Sequence, residues 1–151
     1  MPPESLPINA IRFFLAEFLS KVIKEEEQNF SLYDFLELKL EELYSSVDIN
    51  PAFHISFLIE LMNILGIQPY LEPYHTYLDL EAGEGSSAKP SHPNYLEKLE
   101  VDLYLTGIKN VTLLRKKERS TLLNALLNYY NSQLGGTLSI KSKAVLEVIF
   151  N

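Results

Sequence analysis

The chain has 151 residues, a formal net charge of −7 and no cysteine. That length suits one domain that buries its own core, and the missing thiols exclude a disulfide framework and any thiolate zinc site. The acidity disfavours a protein that binds nucleic acid over its whole surface, because phosphate contacts need cationic surface, and no apolar run reaches transmembrane length.

Residues 1–7 hold Pro2, Pro3 and Pro7 and read as a lead-in, since proline lacks an N–H donor. From residue 8 to about residue 24, Ile11, Phe14, Leu15, Phe18, Leu19, Val22 and Ile23 form a wide helical stripe, the mark of a largely buried helix. The acidic run Glu25, Glu26, Glu27 then reads as its solvated end. Ser31 with Asp34 resembles a capping arrangement, and Phe35, Leu36, Leu38, Leu40 and Leu43 carry a second helix to about Ser46. Asn50-Pro51 is a cap followed by proline at the first helical position, and Gly66 is the residue expected at the end of a third helix.

Between residues 68 and 93 the period changes. Thr76-Tyr77-Leu78-Asp79-Leu80 alternates, and Gly83-Glu84-Gly85 suits a tight turn, which predicts a short hairpin or loop near residues 74–88. A fourth helix, capped by Ser91 or Asn94, is expected to hold Tyr95, Leu96, Leu99, Leu103 and Leu105 and to end at Gly107. Residues 111–134 read as a fifth, with a cationic entry and an apolar stripe of Leu122, Leu123, Leu126, Leu127 and Tyr130. Gly135-Gly136 breaks it, and Ser142 opens a sixth helix through Val145, Leu146, Val148 and Ile149. The pattern is an all-α bundle of about six helices with one β-like insertion, in a single domain over residues 8–151.

Chemistry-bearing constellations are scarce. His54 stands at a helix start, while His75 and His92 fall in the loop region, where solvated histidines are expected. With Asp79 they make only a weak metal set, so no metal or cofactor is implied. No phosphate cradle follows a strand, and no spacing pairs a nucleophile with a base, so no enzyme is expected. The one concentrated positive charge is Arg115, Lys116, Lys117 and Arg119, with Lys141 and Lys143 further on. Tyr129 and Tyr130, on the same predicted helix, are where aromatic rings and cations coincide in sequence. These eight residues are the candidates for contact with a partner or with DNA.

Two stretches carry a resemblance. Residues 61–71, LMNILGIQPYL, are similar to the L-x-x-L-G-x-x-P-x-L turn of the RecO family of recombination mediators, with Leu61, Leu65, Gly66, Pro69 and Leu71 in near register. Residues 114–150 resemble that family's Tyr-rich helix ending in His-Leu, followed by Lys-Ser and a last apolar helix. Here these are Tyr130, Gln133, Leu134, Lys141-Ser142 and Val145-Leu146, with Gln133 in place of the usual histidine. The first helix, FFLAEFLSKVIKEEEQNFSLYDFLE, resembles the start of the family's helical domain in its Bacteroidetes members. Many RecO proteins carry four cysteines in a zinc site after the turn; this chain has residues 76–87 there instead.

The resemblance implies the C-terminal helical domain of such a protein, without the family's N-terminal OB-fold domain. It further implies a cytoplasmic, nucleoid-associated, non-catalytic part in DNA repair and recombination by the RecF pathway, with no membrane role. The implied partners are the acidic, Phe-ended tail of the single-stranded DNA-binding protein and RecR. Single- and double-stranded DNA would be met mainly through the OB domain, in support of strand annealing and recombinase loading. Two other expectations stand beside this one: a module that touches DNA phosphates directly, and a helical scaffold for the OB domain.

Overall fold

The computed structural model describes residues 6–23, 29–45 and 50–135. Among the described residues five α-helices run in the order α1 (Leu6–Val22), α2 (Phe30–Ser45), α3 (Phe53–Leu65), α4 (Lys98–Lys109) and α5 (Lys116–Gln133). A 3-10 turn, Val111–Leu113, joins the last two. Between α3 and α4 lies a three-stranded antiparallel sheet of β1 (Tyr77–Asp79), β2 (Glu84–Ser86) and β3 (Tyr95–Leu96), with β1 in the middle. The sixth expected helix, the acidic run at residues 25–27, Lys141 and Lys143 lie outside the described residues.

Helix α3 is the hub. It has the most apolar sequence of the five, buries His54, Ile55, Phe57, Leu58, Leu61 and Met62, and contacts α1, α2, α4 and α5. Phe14 meets the His54 ring edge-on at 5.8 Å, Phe35 meets Phe57 at 5.2 Å, and Phe18 stands edge-on to Tyr130 at 4.8 Å. These T-shaped and tilted pairs match the ring quadrupoles and tie α1 and α2 to α3, and α1 to α5. Gly66 ends α3 in the left-handed conformation, its N–H bonded to the Asn63 carbonyl and that of Ile67 to the Met62 carbonyl.

Several boundaries differ from the sequence reading. Helix α1 begins at Leu6, so Pro7 sits in the first turn, where a missing N–H costs nothing. Asn29, rather than Ser31, caps α2: its Oδ1 accepts from the Leu32 N–H at 3.0 Å. Asn50 Oδ1 accepts from the Ala52 N–H at 2.9 Å, shaping a turn over Pro51 and Ala52 before α3 starts at Phe53.

The insertion is a sheet rather than a lone hairpin, because Tyr95-Leu96 pairs with β1 (Leu78 opposite Leu96, Asp79 opposite Tyr95). Helix α4 therefore starts at Lys98, where the Glu97 N–H donates to Glu100 Oε1 at 3.2 Å. It runs past Gly107, which is buried at a close approach: a Cβ there would lie 3.1 Å from Leu122 Cδ2 and 3.3 Å from Ile59 Cδ1. Gly107 is a packing residue and not the helix end.

The two loop histidines are structural as well. His75 is buried, and its Nδ1 accepts from the Glu72 N–H at 2.9 Å. His92 Nδ1 accepts from the Asn94 N–H at 3.1 Å, so Nε2 carries the proton and donates to Asp79 Oδ1 at 3.0 Å. Among the described residues no group of His, Asp and Glu is arranged to hold a metal ion, and no helix is long and apolar enough to cross a membrane.

Candidate functional site

The cationic stretch is positioned by a short structural clip. Asn110 Oδ1 accepts from the Thr112 N–H at 3.0 Å and its hydroxyl at 2.6 Å, closing the 3-10 turn. Leu114 is buried and anchors the chain between that turn and α5. Arg115 then takes an extended conformation, and its N–H donates to Glu118 Oε1 at 2.8 Å, which fixes the start of α5. Arg115, Lys116 and Lys117 stand exposed at that start, with no carboxylate paired to them among the described residues.

Arg119 does not share their surface. Half-buried, it turns back so that Nη1 donates to the Leu114 carbonyl at 3.2 Å, and its charge acts on His54. Burial first, and the Arg119 charge second, hold the His54 imidazole down to about 4. The guanidinium thus braces the turn that presents its three neighbours.

Apolar surface lies next to the exposed cations. Leu113 is 59% exposed and Ile108, one residue before the end of α4, is 48% exposed. Leu113 ends the 3-10 turn two residues before Arg115, so its side chain borders the start of α5. The local electrostatics are unusual: a helix N-terminus carries partial positive charge and unsatisfied N–H groups. Three cations there work against helix stability and together make the site attractive to an anion. Chemically, the surface can hold a carboxylate or phosphate beside an apolar group.

The tyrosines of the sequence reading lie elsewhere. Tyr129 and Tyr130 are 2% and 0% exposed. The Tyr129 hydroxyl donates to the Ile67 carbonyl, and that of Tyr130 to the Leu58 carbonyl at 2.6 Å. Neither ring faces solvent, so neither can stack on a base, and Tyr129 stands about 18 Å along the helix axis from Lys117. Their end of α5 holds the sheet instead. Gln133 Nε2 donates to the Leu80 carbonyl at 2.7 Å, and Asn94 Nδ2 donates to Ser132 Oγ at 2.9 Å. Leu113 escapes a reading by periodicity because it lies in the 3-10 turn, off any helical stripe.

A family model described as Recombination protein O C terminal matches residues 3–73, a stretch that includes α1, α2 and α3. A DNA repair protein RecO from Bacteroides fragilis is 31% identical over 152 residues, covering 95% of this chain and 63% of the relative. Those from Flavobacterium psychrophilum and Azobacteroides pseudotrichonymphae are 32% and 28% identical, over 95% of this chain and 62% and 63% of their own lengths. The chain therefore spans somewhat under two thirds of the relatives it matches. No solved structure matches it.

Proposed function

We propose that the chain, similar over 95% of its length to DNA repair proteins RecO, is a C-terminal domain of that family and a non-catalytic module of DNA repair and recombination that recruits a protein partner through an acidic tail. The partner in this reading is single-stranded DNA-binding protein, whose tail presents carboxylates and a terminal phenylalanine. Work with RecR, strand annealing, recombinase loading and a cytoplasmic, nucleoid-associated setting belong to the same reading.

One observation carries it: three exposed cations at the start of α5 closely follow exposed Leu113 in the chain. A carboxylate needs charge-assisted donors, and a terminal ring needs apolar surface out of water; this surface offers both. A phosphate backbone would need the cations alone, and the net charge of −7 opposes a polyanion at long range.

The test is fluorescence anisotropy with two probes, a labelled acidic Phe-terminated peptide and a labelled single-stranded oligonucleotide. Saturable peptide binding is expected, weakened about tenfold or more by Lys116→Glu with Lys117→Glu. Leu113→Ser should weaken the peptide and spare whatever the oligonucleotide does. Oligonucleotide binding alone, lost steeply as salt rises, would make the surface a phosphate contact instead. Silence from both probes would leave the domain as a scaffold for the rest of such a protein.

A further inference from the structure

On the side of the molecule formed by α1 and α2, an open groove of about 510 Å³ is lined by residues that include Arg12, Phe13, Leu40 and Tyr44. Phe13 is 68% exposed, Tyr44 55% and Leu40 46%. Tyr33, Glu37, Leu40 and Tyr44 follow one another at helical spacing, so a second, largely apolar stripe runs along α2 beside the one that is buried. A contiguous face of large side chains left in water marks an interaction surface.

The charges on this face are matched to each other but not to anything near them. The Arg12 guanidinium lies 5.1 Å over the Tyr44 ring and donates to Asn9 Oδ1 at 3.2 Å, which holds it still. It pairs with no carboxylate among the described residues, and exposed Glu37, on the same stripe of α2, pairs with no cation there.

We propose that this face is the interface of a two-fold homodimer, its occupant a second copy of the chain. In such a dimer the two α2 helices cross antiparallel, and the same patch serves both copies. An axis midway between Leu40 and Glu41 leaves Tyr44 and Glu37 equidistant on either side of it. Each Tyr44, with Arg12 stacked on it, then comes opposite Glu37 of the second copy. Two symmetric Arg12–Glu37 pairs form at the rim, while Phe13, Leu40 and Tyr44 leave water at the centre. Among the described residues the face carries one unpaired charge of each sign beside an apolar centre, so it is complementary to itself, and this favours a second copy.

The test is sedimentation equilibrium of the full chain at concentrations up to the order of 100 µM, where an interface of standard size is populated. The mass is expected to rise from one chain to two. Leu40→Glu should return it to one, with the thermal melt followed by circular dichroism unchanged. Arg12→Glu and Glu37→Arg should each weaken association about tenfold, and the two together should restore it. Both positions are exposed, so these variants keep the test valid even where Leu40→Glu fails to fold. A chain that stays monomeric throughout, a dimer indifferent to Leu40→Glu, or a double reversal without recovery overturns the proposal.

Discussion

Tyr130 donates its hydroxyl proton to the Leu58 carbonyl from a position without solvent access, and burial raises its pKa far above the usual tyrosine value. Tyr129, tied to the Ile67 carbonyl, is pushed up to about 12 by the same cause. Tyr130→Phe keeps the ring contact with Phe18 and removes the hydrogen bond, so it should cost about 1 kcal/mol in denaturant unfolding. Binding of either probe should be unmoved, which a surface role for the ring would not allow.

His54 gives the domain a pH dependence. Its folded pKa of about 4 lies below the unfolded value of about 6.5, so between these limits the unfolded chain binds more protons. Stability that is full above the upper limit should therefore fall as pH drops towards 4, by about 3 kcal/mol from this residue. Urea titrations across that window should show the slope, and His54→Leu should remove most of it. A slope left intact by the substitution would place its origin in the carboxylates instead.

At the level of elements, the start of α5 shows a local rule broken. Cations in the first turn oppose the helix dipole, by about 0.3–1 kcal/mol each. Lys116→Glu and Lys117→Glu should therefore leave the melting temperature unchanged or raise it, even as they weaken binding. A sharp fall in melting temperature would make the lysines structural and sink their assignment to a partner site. The sheet depends on a different close approach. A Cβ on Gly85 would lie 2.2 Å from His75 Nδ1 and 2.7 Å from Leu71 Cδ1. Gly85→Ala must push His75 out, breaking its bond to the Glu72 N–H and disturbing its carbonyl, which accepts from Lys98 Nζ at 3.1 Å. A loss of about 2 kcal/mol or more is expected, with faster amide exchange confined to residues 70–98.

For the molecule as a whole, two surfaces lie outside the core and differ in character: the cationic start of α5 and the apolar face of α1 and α2. The two proposals rest on different residues, so changing Lys116 should alter peptide binding and changing Leu40 should alter self-association. Periodicity alone determined much of this protein. Apolar spacing marked α1, α2, α3 and α5, Gly66 marked a helix end, and Arg115, Lys116 and Lys117 stood out as an exposed cationic run. Each of these is a local property, fixed by the 3.6-residue repeat, by the steric freedom of glycine or by charge. What only the tertiary structure decided depends on residues far apart in sequence. Tyr95-Leu96 became a strand because β1 offered it hydrogen bonds, and Gly107 stayed inside a helix because Ile59 and Leu122 crowd it. Arg119 turned inward to the Leu114 carbonyl, and Tyr129 and Tyr130 left the surface because carbonyls of α3 and of the turn after it accept their hydroxyls. A buried polar group goes where a long-range partner satisfies it, and one-dimensional spacing does not record that partner.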